Sequence, residues 1–514
     1  MQTSALSIGV VAAPHRVPHK RITLINPPSV FLLDERGVPP LGILYVADSI
    51  VGAGHDVSVL DLSGLDQPLK ALEDFLRNAD TDVVGITATT PQMTAVRRIT
   101  ETIRTLRPEL RIILGGPHVT LTYAAMQKAP DRTVHRAYKA SLRLEGLFDV
   151  LVRGDGENAI HRALAEDCPR VVNADDPHGG LYLSKAQINA LPFPDRNLLD
   201  LKSYRFHVQG KEATSLIGQR GCPYGCNFCT GRQSPMLRFP RIRSPQSVIA
   251  EVELLYRTYG YEAFMFYDDE LNVSPKMVEL MNGLADLKEK LGVDLRFRGF
   301  VKAELFARNE IQAQAMRRAG FDELLCGFEG ANDFILTNIN KKATLADNAR
   351  AVENAKKHGL RVKALMSIGH PGESDETVRD VEEWLVKMDV EEFDCTIITT
   401  YPGSPYYDDA LPHQDPGVWT FEHRETKARL HSVDIDFLET DGYYKGIPGQ
   451  YESFVFTDFL TSAQLVARRD EVERNVRAKL GLPWPTSRQA VKFDHSMGMG
   501  LPPNILRQSS NAIG

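Results

Sequence analysis

Two successive series of short apolar runs alternating with longer amphipathic ones constrain this chain more than any other feature. In the first series, the runs at 21–26 (RITLIN), 56–60, 83–87 and 111–115 read as buried parallel strands, and 41–52, 69–77 and 91–106 carry helical spacing between them. A fifth run, 149–152, follows. Such alternation predicts a doubly wound, Rossmann-like α/β domain with its ligand at the carboxyl ends of the strands. Those ends carry Asn26-Pro27-Pro28, Thr87-Ala88-Thr89, Gly115-Gly116-Pro117-His118 and Arg153-Gly154-Asp155-Gly156-Glu157. No G-x-G-x-x-G opens the first helix, which argues against a dinucleotide. The Pro, Thr and Gly residues instead let backbone approach a broad, flat ligand.

In the second series, strand-like runs at 214–218, 263–267, 294–300, 323–328, 361–368 and 393–399 alternate with helices. The first of these helices opens on Ser244-Pro245, an N-cap with Pro at the first helical position. Six βα units predict a partial (βα)6 barrel, open on one side, with its chemistry at the strand C-termini. After Tyr407 the two further units of a complete barrel are missing. The domains are therefore expected at 1–166 and 212–410, with a Pro- and Asp-rich linker at 167–211. A mainly helical cap and tail is expected at 411–514, on the helical spacing of 459–480. Residues 128–147 are basic and irregular and read as a surface loop. The His495–Gly500 segment reads as a surface end rather than a cover for the barrel mouth, and the tail 507–514 reads as disordered.

Directly after the first run of the second series stands Gly221-Cys222-Pro223-Tyr224-Gly225-Cys226-Asn227-Phe228-Cys229, which uses three of the six cysteines. Four cysteines complete a zinc site or fill every corner of a cubane. Three hold three irons of a [4Fe–4S] cluster and leave the fourth iron open to another ligand. The alternative, a three-ligand zinc knot, lacks a histidine at zinc-like spacing. Cys168, Cys326 and Cys395 stand apart and read as small buried hydrophobes. Six cysteines in 514 residues are no disulfide framework, and a reducing cytoplasm is expected. A net charge of −7 with no basic block among aromatics argues against a nucleic-acid partner. No run approaches the roughly 20 apolar residues of a membrane span, including 5–13.

Cys222-x-x-x-Cys226-x-x-Cys229, with Phe228 before the last cysteine, resembles the signature of radical S-adenosylmethionine (SAM) enzymes. In that family SAM chelates the open iron and is split by the reduced cluster to methionine and a 5′-deoxyadenosyl radical. The strand ends also match the family: Tyr267-Asp268-Asp269-Glu270, Gly327-Phe328-Glu329-Gly330, Gly369-His370-Pro371-Gly372-Glu373 and Tyr401-Pro402-Gly403-Ser404-Pro405. The SAM contacts the resemblance implies are Phe228, Asp268, Asp269, Glu270, Arg298, Lys302, Glu329, His370, Gly372 and Glu373. Arg298 and Lys302 are expected to meet the SAM carboxylate.

The first domain is similar to the cobalamin-binding domain that precedes many radical SAM domains. The pieces that carry this are Asn26-Pro27-Pro28, Pro39-Pro40-Leu41-Gly42, Gly115-Gly116-Pro117-His118 and Arg153-Gly154-Asp155-Gly156-Glu157. The implied contacts are Asn26, Pro27, Pro28, Pro40, Leu41, Gly42, Thr87, Thr89, Gly115, Gly116, His118, Gly154, Gly156 and Glu157. The Asp-x-His-x-x-Gly motif of axial histidine donors is absent: Asp176-Pro177-His178 is followed by Leu181 where glycine belongs. His118, read as an exposed loop residue, is expected to hydrogen-bond rather than ligate cobalt.

The resemblance implies an enzyme with a [4Fe–4S] cluster, SAM and methylcobalamin, a small-molecule substrate and a flavodoxin- or ferredoxin-type electron donor. C-methylation of an unactivated carbon is the activity expected. Rearrangement or cyclisation with the same cofactors is the alternative, and a non-catalytic cofactor sensor a more distant one. No side chain is assigned a catalytic role.

Overall fold

The computed structural model describes residues 18–29, 35–128, 135–443 and 452–482. The segments 5–13, 495–500 and 507–514, on which expectations were placed, lie outside the described residues.

Strands β1 (Arg21–Asn26), β2 (Asp56–Asp61), β3 (Val83–Thr87), β4 (Arg111–Gly115), β5 (Val150–Gly154) and β6 (Val171–Ala174) form one fully parallel sheet in the order β2-β1-β3-β4-β5-β6. Helices α1 (Leu41–Gly52), α2 (Pro68–Asn78), α3 (Met93–Leu106), α4 (Pro117–Lys128), α5 (Arg136–Leu147) and α6 (Gly156–Leu164) cover it. The order of strand addition reverses between β1 and β3, and the crevice outside that reversal is where sheets of this kind take ligands. The interior strands are apolar on both faces because helices bury both.

Two expectations fail here. The 128–147 stretch contains α5, whose buried Ala137, Ser141 and Leu144 were hidden among basic residues. One of those, Arg136, is itself buried, its guanidinium 3.7 Å from the Tyr407 ring centroid. The 167–211 linker contains β6, which pairs with β5. Four residues are too few for alternation to betray a strand, and long-range pairing makes it one.

The second sheet comprises β7 (His207–Val208), β8 (Lys211–Leu216), β11 (Ala263–Phe266), β12 (Arg296–Lys302), β13 (Glu323–Glu329), β14 (Arg361–Ile368) and β15 (Glu392–Ile397), with β9 (Gln219–Arg220) and β10 (Arg241–Ile242) forming a separate ribbon. From β8 to β15 six strands run parallel, and only β7 is antiparallel, to β8. The sheet curls into a half-barrel. Outward Phe264, Phe297, Phe321 and Phe328 pack under the helices, while inward Met265, Phe300, Leu325 and Leu365 fill the interior. Cys326 and Cys395 are buried in the outer core.

The C-terminal region has its helix, Ser462–Leu480, docked on β15 through Glu473 and Arg477. It also has a feature absent from the mainly helical expectation, an antiparallel sheet of β16 (Leu411–Pro412), β17 (Val418–Glu422), β18 (Arg429–Val433) and β19 (Val455–Thr457). The chain after β18 then lies on the first domain, burying Phe437, Leu438 and Tyr443. Thr94 donates to Asp441 (2.9 Å) and Arg97 to the Leu438 carbonyl (3.1 Å) across this contact. Among the described residues no helix is long and apolar enough to cross a membrane.

Candidate functional site

The cysteine segment leaves β9 through Gly221, whose φ of +87° and 2.6 Å approach of an added Cβ to the Phe239 carbonyl leave room for no side chain. Its backbone is then pinned from the barrel and from farther along the loop itself. Asn227 N donates to Ile339 O (2.9 Å), Asn227 Nδ2 to Asn338 O (2.9 Å), Asn340 Nδ2 to Gly225 O (2.8 Å) and Arg238 Nη1 to Tyr224 O (2.7 Å). Carbonyls are thus satisfied by protein donors, leaving the thiols for another task. Cys226 is buried and Cys222 and Cys229 are half-buried. Burial pushes Cys229 up to about 12 and raises Cys222, so ligation there must expel protons. Among the described residues no three His, Cys, Asp or Glu groups gather around one ion position. A cubane asks for something else, since each thiolate takes a different iron.

Above this loop the barrel rim is charged. Glu329 adopts a left-handed φ of +69° where the β13–β14 register shifts. Its carboxylate accepts from Ser367 Oγ (2.7 Å) and lies 3.5 Å from Lys341 Nζ. Because Ser367 spends its proton on Glu329, its oxygen accepts from His370 Nε2 (2.9 Å), leaving His370 Nδ1 to accept from Tyr406 OH (3.3 Å). Burial drives His370 down to about 3, so the ring is neutral, edge-on to Phe228 at 5.6 Å. Glu270 is pushed by burial up to about 7, against the pull of Lys341 and Lys302, and its Oε2 has no hydrogen-bond partner in the described residues. A chamber with Glu329, Glu270 and Lys341 beside the thiols suits a zwitterionic amino acid. Lys341 was missed, since a Lys between Asn340 and Lys342 carries no pattern.

Other expected contacts are spent on the protein. Arg298 pairs with Glu323 at the barrel floor, four residues and so roughly 13 Å below Lys302, too deep for the SAM carboxylate expected of it. Lys302 is held by Glu304 (2.9 Å) and the Lys341 carbonyl (3.0 Å), over the Tyr224 ring. Asp268 accepts from Gly218 N (2.6 Å) and Gln219 N (3.1 Å), fixing the exit of β8. Glu373 turns into its own loop, accepting from Gly369 N, His370 N and Thr377 Oγ1, while Gly372 makes the turn under Phe334. Asp269 lines a cavity between the domains, within electrostatic reach of Cys222 and Cys229.

That cavity, about 430 Å³, lies between the first sheet, α1 and α6, and opens toward Gln219–Arg220 and Tyr267 of the barrel. Gly42, Thr87, Gly115, Gly116, Gly154, Gly156 and Glu157 line it. Several glycines of its wall leave no room for a side chain: a Cβ on Gly85 would meet Leu24 at 2.7 Å, and one on Gly156 would meet Val46 at 2.8 Å. The walls are Ile43, Val46, Ile113 and Ile160, missed because apolar residues on helices and strands normally signal core. A glycine-lined slot on the sheet face, opening between the domains, would suit the elongated tail of a cobalamin.

The remaining expected contacts do not line it. Asn26 donates to Asp61 (2.9 Å), the Pro27 carbonyl accepts from Gln92, and Pro28 is buried beside it. Pro40 precedes α1, Leu41 sits in the core, and Thr89 caps a turn with Gln92. His118 is no exposed loop residue: it opens α4, is 2% exposed, faces Thr90 Oγ1 (3.1 Å) and lies edge-on to Phe437. Burial lowers it to about 4. The lining includes no histidine.

The family models described as the radical SAM superfamily and as the B12 binding domain match residues 216–385 and 35–141. The chain is 29% identical over 374 residues to an uncharacterized methyltransferase, PH0819, of Pyrococcus horikoshii, covering 73% of this chain and 78% of that protein. It is 26% identical over 386 residues to the anaerobic magnesium-protoporphyrin IX monomethyl ester cyclase of Rubrivivax gelatinosus, covering 72% and 66%. Its fold is shared with the radical SAM methyltransferase TsrM of Kitasatospora setae, solved with cobalamin and a [4Fe–4S] cluster (TM-score 0.59, 19% identity, 78% of this chain and 80% of that one). With both matched domains in one chain and their candidate sites facing each other across the domain interface, the protein belongs to the cobalamin-dependent radical SAM enzymes.

Proposed function

We propose that the protein is a C-methyltransferase acting on an unactivated carbon of a small molecule. The observation that carries this reading is the shared wall: Gln219, Arg220 and Gly221 line the interdomain cavity, and Cys222 follows directly. Two cofactor sites one residue apart serve one reaction volume. When bound, the cluster and SAM supply hydrogen abstraction from the substrate and cobalamin supplies the methyl group. Cys222, Cys226 and Cys229 would hold three irons of the cluster. Glu329 and Glu270 would take the SAM ammonium and Lys341 its carboxylate. The neutral His370 keeps Ser367 oriented on Glu329 and so fixes that carboxylate. The glycine-lined cavity would hold the cobalamin tail. The aromatic and apolar residues around Phe228 exclude water from a reactive intermediate. We further assign the chain to a reducing cytoplasm, with a one-electron donor of flavodoxin or ferredoxin type.

Similarity to the monomethyl ester cyclase favours a second reading, cyclisation or rearrangement with the same cofactors. Reduced holoprotein given methyl-labelled SAM without substrate separates them. The methyltransferase puts label on cobalamin and releases S-adenosylhomocysteine. Formation of 5′-deoxyadenosine with no label on cobalamin supports the cyclase.

A further inference from the structure

The cysteine segment is a closed loop with a neck. β9 and β10 pair antiparallel with Arg220 opposite Arg241, and residues 221–240 hang from that ribbon. Both neck arginines reach out of the barrel. Arg220 Nη1 donates to Asp155 (3.2 Å) and Nη2 to Glu157 (2.5 Å). Arg241 bonds the other oxygen of Asp155 and the Leu183 carbonyl. Farther along the loop, Asp175 accepts from Ser234 Oγ (2.7 Å) and Met236 N (2.8 Å), with Arg153 at 3.1 Å balancing its charge.

Three carboxylates from the exits of β5 and β6 thus meet three guanidinium groups, with Asp155 and Asp175 side chains 0% exposed. Such buried pairs contribute little net stability, because desolvation offsets attraction, but their forked geometry fixes orientation. Asp155, Glu157, Arg220 and Arg241 also line the interdomain cavity. The barrel holds the loop too, through Asp268 on Gly218 and Gln219. Its reference to the other domain is this arginine neck.

We propose that Arg220 is a positioning residue that, through Asp155 and Glu157, sets the separation and orientation of the cluster loop relative to the ligand of the interdomain cavity. This rests on the cofactor assignments above. The test uses holoprotein with cob(II)alamin and reduced cluster, reading the magnetic coupling between them by electron paramagnetic resonance. With cobalamin at saturating concentration, Arg220→Gln and, independently, Glu157→Gln should keep iron content within about threefold of wild type while the coupling spreads over at least a twofold wider range. Arg220→Lys, a point charge in place of a fork, should fall between. The double variant should be no broader than Arg220→Gln alone. A purely structural role would lower Tm yet leave the coupling of folded protein unchanged. Wild-type coupling in both Arg220→Gln and Glu157→Gln, with both cofactors bound, overturns the proposal. If Arg220→Gln does not fold, the isosteric Glu157→Gln decides alone. Wild-type protein that fails to bind cobalamin or cluster overturns the functional reading and this inference with it.

Discussion

The interdomain cavity and the barrel-rim chamber stand on either side of one short stretch, Gln219–Cys222, and are built by opposite means. The cavity is walled by glycines: Gly85, Gly116, Gly154 and Gly156 line it, and a Cβ on each would strike Leu24, Ala88, Ala174 or Val46, so the wall admits no larger residue there. The chamber is made by charge: Glu270 and Glu329 are held in low dielectric by Lys341 and Lys302. Shape therefore selects on one side and electrostatics on the other. Each side should fail alone, to the loss of its own ligand.

The sharpest break is at the thiols. Alanine at Cys222, Cys226 or Cys229 should drop bound iron from about four atoms per chain to below one, since two protein ligands do not hold a cubane. Cobalamin uptake should stay within about threefold. Alanine at Cys326 or Cys395, buried behind the barrel, should leave iron content near wild type. Iron retained in Cys226→Ala would contradict the ligand assignment.

Gly115→Val tests the cavity side. Its Cβ has room, 3.7 Å from Val152, and a β-branched residue suits a strand, so the methyl groups project into the cavity. Cobalamin affinity should fall at least 30-fold, about 2 kcal/mol, with iron content and SAM affinity unchanged. Equal loss of iron would show that the two regions are not separable.

On the chamber side, Glu329→Gln keeps the shape and removes the charge. SAM affinity should fall roughly 10- to 30-fold, as for a charge-assisted hydrogen bond worth on the order of 2 kcal/mol, with cobalamin titration unaltered. Unchanged SAM affinity would return Glu329 to a loop-fixing role.

The smallest effect concerns pH. Burial holds Glu373 near 7 in the fold, above the 4.5 it has when unfolded, so between those values the folded chain binds the extra proton. Its contribution is therefore greatest at the acid end and is lost as pH rises through about 7. Glu373→Gln, which can still accept from Gly369 and His370, should raise Tm at pH 8 by about 1–2 °C and flatten the fall between about pH 5 and 7.

Much of this was legible in sequence because period carries it. Eleven strand-like runs, five in the first domain and six in the barrel, all became strands within a few residues of the expected ends. The cysteine spacing is local and survives any fold. What was not legible depends on direction and partner. Arg298 and Lys302 lie on the same barrel strand and look alike in sequence, yet one sits on the floor beneath Glu323 and the other at the rim over Tyr224. His118 stands in the expected loop, but α4 begins there and turns the ring onto Phe437, a residue more than three hundred positions away. β6 and the β16–β19 sheet exist through pairing, which short segments do not announce. Lys341 acquires its role only because Glu329 and Glu270 converge on it.

The cavity reading has the most direct test. If the tail of cobalamin occupies the glycine slot, no nitrogen from tail or protein sits beneath cobalt, because no histidine lines the cavity and His118 is buried against Phe437. The electron paramagnetic resonance spectrum of protein-bound cob(II)alamin should then show no three-line nitrogen superhyperfine splitting, and His118→Ala should leave the spectrum unchanged. Triplet splitting in the wild type would contradict the account. If it vanished in His118→Ala the ligand would be that histidine, and if it persisted the tail would still be on cobalt and outside the slot.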